Sequence, residues 1–280
     1  MSDKTTYVSI ILDKSGSMSA AANGAVANFN EQIQQMKQNS DTQKIFCSLI
    51  TFNGNVYENC WNETASSIEE AELNTFHPCG STALFDAIGY TISKMKKSTK
   101  DDTSDKAYLV IIISDGEENA SSHYDQTSIG QLISSCKEEG NWTFTYLGCD
   151  ERYIKNIAKS LNIAAADCAV WSNQTDESAY TSLRCSSDAI GSYYTERARG
   201  VKSLTGLHSN DGDIANYAES VLKYDPQNST SSVPSFSNQV SICSVSNPTY
   251  TNKSVTRSIN KTKLTSSKKS IFETSTAVKF

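Results

Sequence analysis

Asp13, Ser15 and Ser17 stand at alternate positions directly after the apolar run at residues 8–12. Two further fragments offer the same kind of atom. Thr82 follows Gly80 and Ser81 and precedes a helix-like stretch, and Asp115 comes before Gly116 where the run at residues 109–114 ends. Hydroxyl and carboxylate oxygens are hard donors, suited to Mg²⁺, Mn²⁺ or Ca²⁺ rather than to zinc or copper. Each fragment lies where a buried strand gives way to a loop. In an open, mostly parallel sheet, ligands sit outside the carboxyl ends of the strands, so one divalent ion could be shared by all three fragments.

The elements that must bring these fragments together are legible from periodicity. Strands are expected at residues 7–12, 45–52, 56–60, 109–113, 142–147 and 166–171. The aliphatic run at 109–113 has no polar alternation, which marks a strand covered on both faces. Helices are expected at 20–37 (Val26, Phe29, Ile33 and Met36 on one face), at 83–97 (Leu84, Ile88, Ile92, Met95), near 128–139, around Tyr153 to Leu161, and at 176–199. Asn53 and Gly54 read as a tight hairpin turn with positive φ, which returns residues 56–60 as an antiparallel edge strand. Strands alternating with helices imply right-handed crossovers. The expected fold is α/β: a doubly wound, mostly parallel, Rossmann-like sheet with one antiparallel edge strand and helices on both faces. Tyr180, Leu183, Ile190 and Tyr194 of the last helix are expected to pack on the sheet.

The order D-x-S-x-S, then Thr after Gly-Ser, then Asp-Gly after an aliphatic strand resembles the von Willebrand factor A domain and its metal-ion-dependent adhesion site. The likeness runs from about residue 6 to about residue 171. It implies that Ser15 and Ser17 bind the ion through their hydroxyls, that Thr82 joins from a neighbouring loop, and that Asp13 and Asp115 act largely through ordered water, with one of them binding directly when the site holds no partner ligand. It also implies a partner protein that offers an Asp or Glu carboxylate to the ion. The compact body is similar to stand-alone intracellular members of the family, whereas the Asn/Ser-rich end departs from them.

Composition sets the remaining expectations. The 280 residues carry a net charge of −6. From Asp225 onward seven Lys and Arg oppose two acids, so that stretch carries +5 and the rest of the chain −11. An acidic body does not attract nucleic acid. No apolar run reaches the length of a membrane span, and no targeting segment is visible, so the expected location is cytoplasmic. The eight cysteines show neither C-x-x-C nor zinc-like spacing. Cys47, Cys149 and Cys168 fall on or beside inner strands and Cys136 on a helix's apolar face, which reads as free thiols in a reducing compartment. The domain reading is 1–200 for the von Willebrand A body with its C-terminal helix, 201–224 for an extension, and 225–280 for a disordered basic tail rich in Ser, Thr and Asn. His208, with Asp211 and Asp213 nearby, is read as lying outside the sheet region.

The function expected is a non-enzymatic, metal-dependent interaction module. No nucleophile elbow, P-loop or dinucleotide fingerprint appears. A metal-assisted hydrolase and an accessory subunit of a ring-forming ATPase are the alternatives. Around the site, Lys14 is read as an exposed lysine. Glu117 and Glu118 are read as charges that deter acidic partners or recruit basic ones, or as the start of a loop, and His77 and His123 as loop or packing residues.

Overall fold

The computed structural model describes residues 4–72, 74–208 and 270–280. Seven strands form one sheet: β1 (Lys4–Asp13), β2 (Lys44–Phe52), β3 (Val56–Thr64), β4 (Asp105–Ser114), β5 (Trp142–Gly148), β6 (Cys168–Val170) and β7 (Thr276–Ala277). Their spatial order is β6-β5-β4-β1-β2-β3-β7. β1 pairs in parallel with β2 and β4, and β4–β5–β6 continue in parallel. β3 runs antiparallel to β2 and to β7. Among the described residues the α-helices are α1 (Ala22–Asn39), α2 (Leu84–Ser98), α3 (Gln126–Glu138), α4 (Glu151–Ser160) and α5 (Asp176–Arg199). This is the doubly wound α/β architecture expected from the sequence.

Strand alternation explains how both faces are filled. Along β4, Leu109, Ile111 and Ile113 join the core beneath α1 and α5. Tyr108, Val110 and Ile112 join the core beneath α2, α3 and α4. A strand buried on both faces needs apolar residues at both parities, hence the unbroken aliphatic run. Leu183, Ile190 and Tyr194 of α5 are buried on the sheet and Tyr180 is half-buried. The N-terminus of α5 is closed by a capping box between Thr175 and Ser178.

Three expectations change. The turn at Asn53–Gly54 is not a positive-φ hairpin, since neither residue has positive φ. Asn53 instead accepts a bond from Asn55 N through its side-chain Oδ1 (3.0 Å), and Asn53 N donates to Asn55 O (2.9 Å). The loop is a side-chain-closed Asx turn. Gly54 serves close approach: a Cβ there would stand 2.6 Å from Ser81 Oγ.

The second change concerns the segment after α5. Residues 201–208 belong to the body: Leu207 is in the core, Leu204 N donates to Thr143 Oγ1, and His208 Nε2 lies 2.9 Å from Thr145 Oγ1. His208 therefore sits against β5, not away from the sheet. The last strand is shorter than expected because Ala165–Asp167 forms a 3-10 turn. The buried Asp167 carboxylate there receives the amides of Gly206 and Leu207.

The third change concerns the tail. Residues 209–269, with Asp211 and Asp213 and most of the expected tail, lie outside the described residues. Residues 270–280 pack on the body. Phe272 is buried, with its ring centroid 5.3 Å from that of Phe29 and 5.1 Å from that of Phe76. β7 covers β3 at Tyr57 and Glu58, and Phe280 stacks on His123 at 4.0 Å. A low average content of large apolar groups concealed one well-placed phenylalanine.

Candidate metal centre

The sheet order reverses at β1, whose neighbours β4 and β2 lead to opposite edges. The carboxyl ends of β1 and β4 are therefore adjacent, and they carry Asp13 and Asp115. Asp13 is fully buried. Its Oδ1 accepts from Ser15 N at 2.7 Å and its Oδ2 from Ser114 Oγ at 2.6 Å. Burial pushes this carboxyl up to about 6. The bonds from Ser114 and Ser15 act against that shift, and the charge of Asp115 adds to it. A buried carboxylate held by neutral donors is what a divalent cation would stabilise.

A 3-10 turn, Gly16–Ala21, follows β1 and delays the start of α1. It turns Ser15 and Ser17 towards each other, with hydroxyl oxygens 3.0 Å apart, and Ser17 Oγ donates to Asp115 Oδ1 at 2.7 Å. Thr82 arrives from the loop before α2. Its amide donates to Asn119 Oδ1 (2.9 Å), and its carbonyl accepts from the amides of Asn119 and Ala120. Further backbone bonds fix this loop to the loop after β1 and to the β2–β3 turn: Gly16 N to Gly80 O (3.0 Å), Cys79 N to Lys14 O (2.9 Å) and Ala83 N to Asn53 O (2.6 Å). A Cβ placed on Gly116 would lie 3.4 Å from Ser17 Oγ, 3.5 Å from Thr82 Oγ1 and 3.9 Å from Ser15 Oγ. Three hydroxyls thus converge on one small space that glycine leaves open.

All five sequence-predicted residues, Asp13, Ser15, Ser17, Thr82 and Asp115, meet at this end of the sheet. The donor set fits a small hard cation: three hydroxyls and two carboxylates, without imidazole. Among the described residues no group of three or more His, Cys, Asp or Glu is placed to hold a metal.

The sequence matches the model of the von Willebrand factor type A domain over residues 8–184. This chain belongs to that family. Solved structures with a similar fold include proximal thread matrix protein 1 from the mussel byssus, with 13% identity over 69% of this chain and 47% of that chain and a TM-score of 0.43. They also include manganese-loaded Plasmodium vivax TRAP (14%, 65% and 73%, 0.45) and the pilus adhesin SpaC of Lactobacillus rhamnosus GG (13%, 68% and 31%, 0.49). The chain spans less than half of the mussel and pilus chains. No curated protein sequence matches it.

Around the three fragments, this von Willebrand A domain uses residues that the motifs do not announce. Ser114 orients Asp13. Asn119 clamps Thr82. Asn173, in the loop before α5, donates to Asp115 Oδ2 at 2.9 Å, and the Cys149 thiol donates to the Asp115 carbonyl. Only Ser114 left a trace in sequence, as a polar residue closing an aliphatic run. Glu118 is not a charge presented to partners. Its carboxylate accepts the amides of Phe85, Ala120 and Ser121, capping the start of α2. His123 is bonded to Asp86, which also receives three backbone amides and sits below the ordinary carboxylate range although burial opposes that shift. Glu117 and His77 are exposed and Lys14 is half-buried. Cys47, Cys60, Cys79, Cys136, Cys149 and Cys168 are free thiols.

Proposed function

We propose that the chain is a metal-dependent protein-interaction module. Asp13, Ser15, Ser17, Thr82 and Asp115 hold one divalent ion, Mg²⁺ foremost with Mn²⁺ or Ca²⁺ as substitutes, and the ligand is an Asp or Glu carboxylate of a partner protein. The observation that carries this reading is the convergence of three hydroxyls beside Gly116, flanked by two carboxylates fixed by neutral donors. When bound, the ion supplies a Lewis-acidic position for an incoming carboxylate oxygen.

The residues divide the work. Ser15, Ser17 and Thr82 contribute oxygen without charge, so the ion keeps most of its attraction for an anion. Ser114 and Ser15 N fix the plane of Asp13, and Asn173 that of Asp115. Loss of such an outer partner typically costs about 10- to 100-fold in metal affinity. Asn119 holds Thr82 by its backbone, which leaves its hydroxyl free to turn towards the ion.

A hydrolase is the weaker reading. Ser15 and Ser17 bond to each other and to Asp115, while His123 is engaged with Asp86 and His208 with Thr145. No histidine is thereby paired with either serine as a base. Six free thiols favour a reducing compartment and a cytoplasmic setting. Among the described residues no helix is long and apolar enough to cross a membrane.

The test is capture of protein ligands on the immobilised chain in Mg²⁺ and in EDTA, with wild type and Thr82→Ala. A partner held in Mg²⁺, released by EDTA and lost with Thr82→Ala, while circular dichroism is unchanged, supports the reading. Capture that ignores both EDTA and the substitution places the interaction elsewhere.

A further inference from the structure

We infer that Asn173 is a positioning residue that sets which ion the centre prefers, a role that rests on the metal-binding reading above. Asp115 has two carboxylate oxygens, and the structure gives them different partners. Oδ1 faces the hydroxyl of Ser17 at 2.7 Å, on the side where Ser15 and Thr82 converge. Oδ2 is occupied by the amide of Asn173 at 2.9 Å. The carboxylate is further anchored through its backbone, whose carbonyl accepts the Cys149 thiol. Three elements therefore fix one residue: the turn after β1, the end of β5 and the loop before α5.

Asn173 is itself held by a rigid element. It lies two residues before Thr175, whose hydroxyl accepts from Ser178 N in the capping box that starts α5. Asp176 then accepts the backbone amides of Asn23 and Gly24 at the start of α1. The Asn173 amide is thus presented at a fixed distance from the end of β4.

The chemical consequence is a carboxylate that offers one oxygen to the site. Mg²⁺ requires near-octahedral order and takes carboxylates through single oxygens. Ca²⁺ accepts six to eight oxygens and bidentate carboxylates in looser geometry. An amide that occupies Oδ2 disfavours bidentate binding and so favours the smaller ion. Being neutral, Asn173 does this without repelling a cation and without adding a negative charge that would repel the incoming carboxylate.

Asn173 is invisible to the motif. It lies outside the three fragments, in a Ser/Asn/Gln/Thr stretch that reads as an ordinary loop. The contact is tested by titrating Mg²⁺ and Ca²⁺ separately into the ion-free full-length chain by calorimetry, for wild type, Asn173→Ala and Asn173→Gln, with melting in EDTA as a folding control. The expected result for Asn173→Ala is an Mg²⁺ affinity lower by roughly tenfold, as for other outer partners of metal ligands. Ca²⁺ affinity should fall less, so that the Mg²⁺:Ca²⁺ preference drops. Asn173→Gln, which keeps the amide, should recover part of that preference. Unequal loss with unchanged melting in EDTA supports the inference. Equal loss of both ions, or no change, while wild type still binds, overturns it and leaves the metal-binding reading intact. Absence of ion binding by wild type removes both.

Discussion

The loops above β1 and β4 and the segment at residues 270–280 are both stitched to the same sheet, by opposite means. The loops of the proposed metal centre bury Met18, Ala21 and Ala83, but their oxygen-bearing side chains are placed by polar contacts. They are fixed by many short polar contacts, several from backbone amides to side chains: Ser15 N to Asp13, Thr82 N to Asn119, Phe85 N to Glu118. The C-terminal segment makes a two-residue strand, sets Phe280 against the rings of His123, Tyr90 and Tyr124, and inserts one fully buried ring, Phe272, with Ile271 and Val278 partly buried beside it. A polar network distributes its stability over many weak bonds and fixes geometry. A single buried ring concentrates stability in one side chain and fixes little else.

The largest expected effect is therefore on the C-terminal side. Phe272→Ala empties a site lined by Phe29 and Phe76 and should cost about 3–5 kcal/mol. At about 2–4 °C per kcal/mol for a domain of this size, that is a drop of roughly 10 °C in melting temperature. A change within 2 °C or so would show that the segment is not part of the folded body. Ion affinity should be unchanged in the same variant at a temperature where it is folded.

A smaller loss belongs to Glu118→Ala. Removing the cap of α2 should cost about 1 kcal/mol, read as a shift in the denaturant midpoint at constant slope. Retention of full stability would mean that Glu118 faces solvent and that its bonds to Phe85, Ala120 and Ser121 do not form in solution.

Asp13→Asn should move stability the other way. The carboxyl is raised by burial, so at neutral pH the ion-free protein carries a desolvated charge. An amide can still accept from Ser15 N and donate to Ser114 Oγ. The ion-free variant should melt as high as wild type or higher, by on the order of 1 kcal/mol, and should bind Mg²⁺ much more weakly. Joint loss of stability and binding would contradict this account of the buried charge.

The smallest expected effect is that of Phe280→Ala, under about 0.5 kcal/mol. The residue is half exposed and lies at the chain end. A fall of several degrees on thermal melting would mean that the stack on His123 braces more of the structure than its exposure implies.

The unequal legibility of the two regions has the same physical origin. Asp13, Ser15, Ser17, Thr82 and Asp115 could be read because strand ends and hard donors recur in a fixed chain order, and the aliphatic runs around them set the strands. Their supports could not be read. Asn119 and Asn173 act through contacts 37 and 58 residues away in sequence, and no local pattern records such a pairing. Residues 270–280 were hidden by averaging, since Phe272 stands in a Ser/Thr-rich composition whose mean suggests no core. Asn-Gly at 53–54 is ambiguous in sequence, because it serves a side-chain-closed turn as well as a positive-φ hairpin; here the Asn53 carbonyl also accepts Ala83 N.

The most direct measurement is Mn²⁺ binding followed by electron paramagnetic resonance, comparing the wild-type chain with a variant carrying both Asp13→Ala and Ser15→Ala. One bound ion per wild-type chain is expected, none at the same concentrations in the variant, and a far-ultraviolet spectrum shared by both. Equal Mn²⁺ binding by the two folded proteins would contradict the proposed metal centre.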